Sequence, residues 1–152
     1  MTMRMDYETA APGAIKALGG VYGYVGQSGL AKPIVDLVYL RVSQINGCAY
    51  CIDMHSRELS RDGMPWEKLV LVPVWREAGG LFDDRERAAL AWAETVTRVA
   101  ETGVPQSDYD AAAGMFDDKE LADLTVAIGL MNAYNRLAIS FRRPPSAARN
   151  GQ

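Results

Sequence analysis

Cysteine and histidine are almost missing from this 152-residue chain, which carries two of the first and one of the second. With no other histidine and no second Cys-X-X-Cys, a four-ligand zinc site would have to borrow a carboxylate or water. Long apolar runs are absent too, so no segment reaches the roughly 20 residues needed to span a bilayer. A strong charge of either sign is lacking. The formal net charge of −3 argues against nucleic acid or an anionic membrane as the main partner. The opening "MTMRMDYETAAPGAIK" has Asp6 and Glu8 where a secretory leader needs an uninterrupted apolar region. A cytoplasmic location is therefore expected, where thiols stay reduced and a cysteine pair is seldom a structural staple. The glycine-rich "GGVYGYVGQSG" lacks the Gly-Lys-Ser/Thr ending of a phosphate loop and reads as a turn-rich packing segment. Arg142, Arg143 and Arg149 read as solvated cations complementing a helix C-terminus.

What is present reads as helix throughout. The composition, 49% hydrophobic and 23% charged, is that of a globular protein, and the length suits one domain over residues 1–152. "PIVDLVYLRVSQI" spaces Ile34, Leu37, Val38, Val42 and Ile45 helically behind Pro33, and Asn46-Gly47 stops it. Asp62-Gly63 is a second stop of the same kind. Asp83 with Glu86, and Asp117 with Glu120, have the spacing of capping boxes, and Phe116 and Leu121 flank the second as a hydrophobic staple. The alanine-rich "RERAALAWAETVTRVAE" predicts one helix ending before Gly103 and Pro105. A last helix, roughly residues 119–141, is apolar on nearly all sides. Such a helix is either central or covered by a second subunit. In so small a domain the subunit is the expectation, hence an all-α bundle that is oligomeric through apolar helices.

Both cysteines and the histidine fall in "INGCAYCIDMHSRELSRDG". Read as a helix from 48 to 62, the stretch puts Cys48, Cys51 and His55 at i, i+3 and i+7 on one face. Two Cα atoms three apart in a helix sit at about the separation a disulfide spans. His55 lies one turn past Cys51, where an imidazole can draw the thiol's proton. The first turn of a helix also favours a thiolate, the form that attacks a peroxide oxygen or a disulfide. One thiol to attack, one to resolve and one base accounts for the grouping. Asp36 joins on geometric grounds. If Asn46-Gly47 links two antiparallel helices, Asp36 and His55 lie within one turn of each other along the axes. Its carboxylate could then orient the imidazole or relay to it. Two rival readings remain open here: a pair of small buried hydrophobes, and a zinc site completed by Asp36 or water.

The string "LRVSQINGCAYCIDMH" resembles the core motif of alkyl hydroperoxidase D-like (AhpD core) proteins, within the carboxymuconolactone decarboxylase superfamily. A looser similarity extends through "GLFDDRERAALAWAETVT" and "LTVAIGLMNAYNRLAISFR". The resemblance implies an all-α, AhpD-like multihelical fold whose subunits assemble as trimers or hexamers. It implies a thiol peroxidase of the antioxidant, alkyl hydroperoxide-reducing type, working through a Cys-X-X-Cys disulfide cycle with no haem or flavin. Carried over by position, Cys51 is the peroxidatic thiol, Cys48 the resolving one, and His55 the activating histidine. The partners implied are a hydroperoxide substrate and a dithiol or lipoylated protein as electron donor. Two positions depart from the pattern. The relay glutamate twelve residues before the first cysteine is replaced by Asp36, and the histidine before the second cysteine by Tyr50. Tyrosine donates a hydrogen bond but shuttles protons poorly near neutral pH. A disulfide reductase, or a metal- or small-molecule-binding helical protein without turnover, is the alternative reading.

Overall fold

A computed structural model describes residues 2–148, and Arg149 of the cationic tail lies outside them. Its elements in chain order are α1 (Tyr7–Ala10), α2 (Pro12–Gly26), α3 (Lys32–Asn46), α4 (Ala49–Arg61), α5 (Trp66–Leu71), α6 (Asp84–Thr97), α7 (Val99–Thr102), α8 (Gln106–Ala113) and α9 (Asp118–Ser140). Short 3₁₀ turns fill the stretch between α5 and α6. No strand occurs among the described residues, so the fold is all-α. No helix among them is long and apolar enough to cross a membrane.

Both capping boxes form. Asp83 and Asp117 accept from the backbone N–H of Glu86 and Glu120 at 2.8 Å, and each glutamate returns the bond to the cap residue's N–H. Phe116 and Leu121 are buried in one apolar cluster beside the second box. Two stretches differ from expectation. The glycine-rich segment is helical, the body of α2, because Pro12 in the first turn presets the backbone and the glycines permit helix at a cost in entropy. The alanine-rich helix also stops early. Arg98 leaves helical geometry (φ −97°, ψ 34°), and Thr102 Oγ1 donates to the Thr95 carbonyl at 2.8 Å, folding α7 back on α6.

The bundle is organised around α3, which packs against α4, α6 and α9. Leu37 and Leu40 point into one apolar cluster with Leu59, Val72 and Leu90. Val38, Tyr39 and Val42 enter the other, with Trp92, Leu124 and Ile128. Valines are weak helix formers, so burial on both faces, roughly 2 kcal/mol for each large side chain, decides the conformation. The helix apolar on all sides, α9, is central in its own chain. Leu121, Leu124, Ile128, Leu130 and Met131 are buried there within a single chain, so the apolar character of α9 does not by itself call for a second subunit. Exposed apolar side chains remain on α9 at Val126 and Ile139, and three sit close together on α2 at Val21, Tyr22 and Tyr24.

A buried carboxylate fastens the frame behind the site. Glu94 of α6 accepts from Arg41 of α3 at 2.7 Å, from Trp75 Nε1 at 3.0 Å and from Arg76. Burial alone would push its pKa up, but the three donors outweigh that and hold it below the usual glutamate range.

Candidate active site

The turn between α3 and α4 is built from the Ser-Gln-Ile-Asn-Gly-Cys string. Gly47 takes a left-handed backbone (φ 70°), and Cys48 and Gly47 donate their N–H groups to the carbonyls of Ser43 and Gln44 at 2.9 and 3.2 Å. This paired closure of a helix end suits glycine because a Cβ would be strained there. Asn46 Nδ2 then donates to the side-chain oxygens of Asn132 and Asn135 at 3.0 Å, and Asn135 Nδ2 donates to Ser43 Oγ at 3.0 Å. These bonds pin the turn to α9. Neither asparagine of α9 stands out in the sequence, because the turn residues it bonds lie more than eighty positions away.

Cys48 is therefore the N-cap of α4 rather than its first helical residue, since Gly47 ends one helix immediately before the next begins. Its Sγ accepts from the Cys51 N–H at 3.3 Å. The two cysteines are paired as a disulfide with Cα atoms 5.4 Å apart, and both are buried. Cys51 lies in the first turn of α4, where unpaired backbone N–H groups favour a thiolate once the pair is reduced. Among the described residues no group of three histidines, cysteines or carboxylates converges as a metal site.

His55, one turn further along α4, is fully buried. Its Nδ1 donates to Glu58 Oε2 at 3.0 Å, and its Nε2 has no hydrogen-bond partner among the described residues. With a carboxylate holding Nδ1–H, the free Nε2 is the basic nitrogen. Burial pushes the imidazole below the ordinary histidine range, and the charges of Glu58 and Asp36 offset this only in part. His55 is thus neutral near pH 7 and able to accept a proton. Glu58 is the residue that sequence reasoning missed, although its His-x-x-Glu spacing on one helix was visible.

Asp36 is placed differently from expectation. The antiparallel pairing of α3 and α4 holds, and Lys32 clasps it by bridging Asp36 and Asp62. Asp36 Oδ2 accepts from Lys32 Nζ at 2.5 Å, whereas the carboxylate hydrogen-bonded to His55 is that of Glu58. Asp36 therefore reaches His55 through its charge, with no direct hydrogen bond between them. Tyr39 stands between the two sides. Its ring lies 5.4 Å from His55 and 5.9 Å from Tyr22, and its buried hydroxyl has no hydrogen-bond partner among the described residues. Burial raises the Tyr39 pKa, so that hydroxyl stays protonated.

A cavity of about 250 Å³ opens onto Cys51, His55 and Glu58, walled by Tyr22, Tyr50, Met54 and Tyr134. Arg143 closes its rim and is not a solvated tail cation. It pairs with Glu8, donates to Tyr7 Oη at 2.9 Å and lies 4.3 Å above the Tyr50 ring. The proximity of α1 explains the change, because the N-terminal helix folds over the end of α9.

Taken together, the molecule is an all-helical protein presenting a cysteine pair at a helix start, beside a buried histidine. Residues 12–95 match the model of the carboxymuconolactone decarboxylase family. The uncharacterised YdfG of Bacillus subtilis is 31% identical over 140 residues, covering 92% of this chain and 95% of that one. Among solved structures, ATU0492 of Agrobacterium tumefaciens superposes with a TM-score of 0.91 at 41% identity, covering 95% of this chain and 98% of its own. It is described as a protein of unknown function, provisionally an antioxidant defence protein AhpD. An uncharacterised peroxidase-related protein of Silicibacter sp. TM1040 gives 0.73 at 30% identity, covering 90% and 72%. The chain belongs to the carboxymuconolactone decarboxylase family, in its AhpD-like branch.

Proposed function

We infer that this protein is a thiol peroxidase that reduces organic hydroperoxides through a Cys48–Cys51 disulfide cycle. The observation that carries the reading is the unpartnered Nε2 of His55, in the same cavity as Cys51 and one turn from it. In the reduced protein His55 takes the Cys51 proton, and the thiolate attacks the outer peroxide oxygen. The O–O bond breaks, the alcohol leaves with a proton, and Cys51 becomes a sulfenic acid. Cys48 then attacks that sulfur, water departs, and the disulfide closes without moving the helix far. Glu58 is a positioning residue that fixes the imidazole tautomer, and Asp36 adds negative charge favouring the imidazolium. A dithiol or lipoylated protein would restore the thiols. The aromatic walls of Tyr22, Tyr50 and Tyr134 favour an apolar organic substrate over hydrogen peroxide.

The deciding experiment follows fully reduced protein after addition of an alkyl hydroperoxide, by stopped flow and intact mass. Rapid loss of two thiols with a mass drop of about two hydrogens supports the cycle. Oxidation no faster than that of a free thiol refutes it, and the disulfide-reductase reading would then be tested.

A further inference from the structure

Each cysteine of the pair lines a different cavity. Cys51 lines the one shared with His55, whereas Cys48 lines a separate groove of about 470 Å³. Tyr50, Ala138 and Arg143 line both and form the partition. We propose that the groove beside Cys48 binds the reductant, a slender dithiol arm carrying negative charge, so that the disulfide is made from one side and broken from the other. This rests on the disulfide cycle proposed above but not on which oxidant closes the disulfide.

Three observations support it. The groove is lined by one cysteine of the disulfide, and the nucleophile a disulfide sulfur takes is a thiolate. Attack on Cys48 expels Cys51, which shares its cavity with His55, so the leaving thiolate emerges beside an imidazole that can hand it a proton. Cys48 is only 1% exposed, so a broad protein face cannot reach it, whereas an extended arm can. Charge gives the last element. A left-handed turn at Arg142 (φ 56°) ends α9 and brings Arg142, Pro144 and Pro145 round as a wall. No carboxylate lines the groove among the described residues. Arg143 is matched by Glu8, but the exposed Arg142 has no ion-pair partner among them. An uncompensated guanidinium at the rim selects an anionic arm.

The exchange balances. One donor thiolate bonds to Cys48 Sγ, the S–S bond breaks, and its electron pair goes to Cys51, which leaves as thiolate and gains a proton. The second donor thiolate then attacks its own sulfur in the mixed disulfide and expels Cys48, which is protonated in turn. Two electrons and two protons pass from dithiol to protein.

The tests start from oxidised protein and use no hydroperoxide, so they read independently of the peroxidase assignment. With 3-mercaptopropionate, which cannot complete the second attack, trapping with iodoacetamide and tandem mass spectrometry should place the mixed disulfide on Cys48 and the alkyl group on Cys51. The reverse placement overturns the proposal. Anionic dihydrolipoate should reduce the protein faster than neutral dihydrolipoamide, with the preference lost in Arg142→Ala and in high salt. Equal rates in the wild type overturn the charge selection. Ile139→Trp, at an exposed position lining the groove, should slow reduction about tenfold at an unchanged melting temperature, and an unchanged rate overturns the docking site. A dihydrolipoyl-lysine peptide with acidic flanks distinguishes sources: a rate above that of free dihydrolipoate points to a protein-borne arm, equality to a free dithiol.

Discussion

The Nδ1 of His55 and the Oε2 of Glu58 lie 3.0 Å apart, one turn of α4 joining a fully buried imidazole to a partly exposed carboxylate. The pair orders the site's proton chemistry. Held at Nδ1, the ring presents Nε2 as its base, and a neighbouring negative charge stabilises the imidazolium that forms when Cys51 ionises. The carboxylate expected in this role was Asp36, which is instead engaged by Lys32.

Glu58→Gln should keep the fold while removing the charge. Burial already holds His55 low, and losing Glu58 lowers it further, so a thiolate–imidazolium pair forms less readily. We expect the rate of Cys51 alkylation in the reduced protein to fall about tenfold at neutral pH, with its pH profile displaced to the alkaline side. A purely structural Glu58 would change the melting temperature and leave that profile in place.

The parts of the site legible in the sequence are those written in local spacing. Cys48, Cys51 and His55 declare themselves because helical geometry alone brings i, i+3 and i+7 together, and Gly47 because it must end a helix. Glu58 was equally local, but a solvated Glu on a charged helix face looks the same in one dimension. Arg143 and Glu8 could not be paired in advance, being separated by 135 positions. Nor could Asn46 and Asn135, whose bond depends on how α9 crosses α3. Helix α2 was misread because glycine content signals turns, whereas Pro12 and packing against α9 settle the conformation.

Replacing the cysteines one at a time separates their roles. Cys51→Ser removes the attacking sulfur, and the rate with hydroperoxide should fall roughly 1000-fold. Cys48→Ser should still react once per chain, gaining one oxygen, about 16 Da, that dimedone traps as a sulfenic acid. Equal full activity in both variants would refute the scheme and favour a lyase independent of the cysteine pair.

Self-association is expected through α2 rather than α9. Val21 and Tyr24 are 36% and 53% exposed on a helix whose one charged residue is Lys16. An apolar face of this kind is covered in most oligomers, and family resemblance implies three or six copies of the chain. Light scattering on a sizing column should give that mass, and Val21→Glu should lower it. A wild-type mass of one chain would end the argument.

Acid should loosen the frame through Glu94. Its pKa is held below the ordinary 4.5 by Arg76, Trp75 and Arg41 despite burial. Because the folded value lies below the unfolded one, the stabilisation is complete above the unfolded pKa. It is lost as pH falls through the folded value. Glu94→Gln leaves Arg41 and Arg76 facing a neutral amide and should cost about 3 kcal/mol at neutral pH. The variant has no carboxylate to protonate, so its deficit should shrink as pH falls below the ordinary glutamate range and the wild type loses the same interaction. Melting temperatures of both proteins across that fall in pH provide the measurement. A deficit that stays constant would mean that Glu94 contributes shape and hydrogen bonding but no charge.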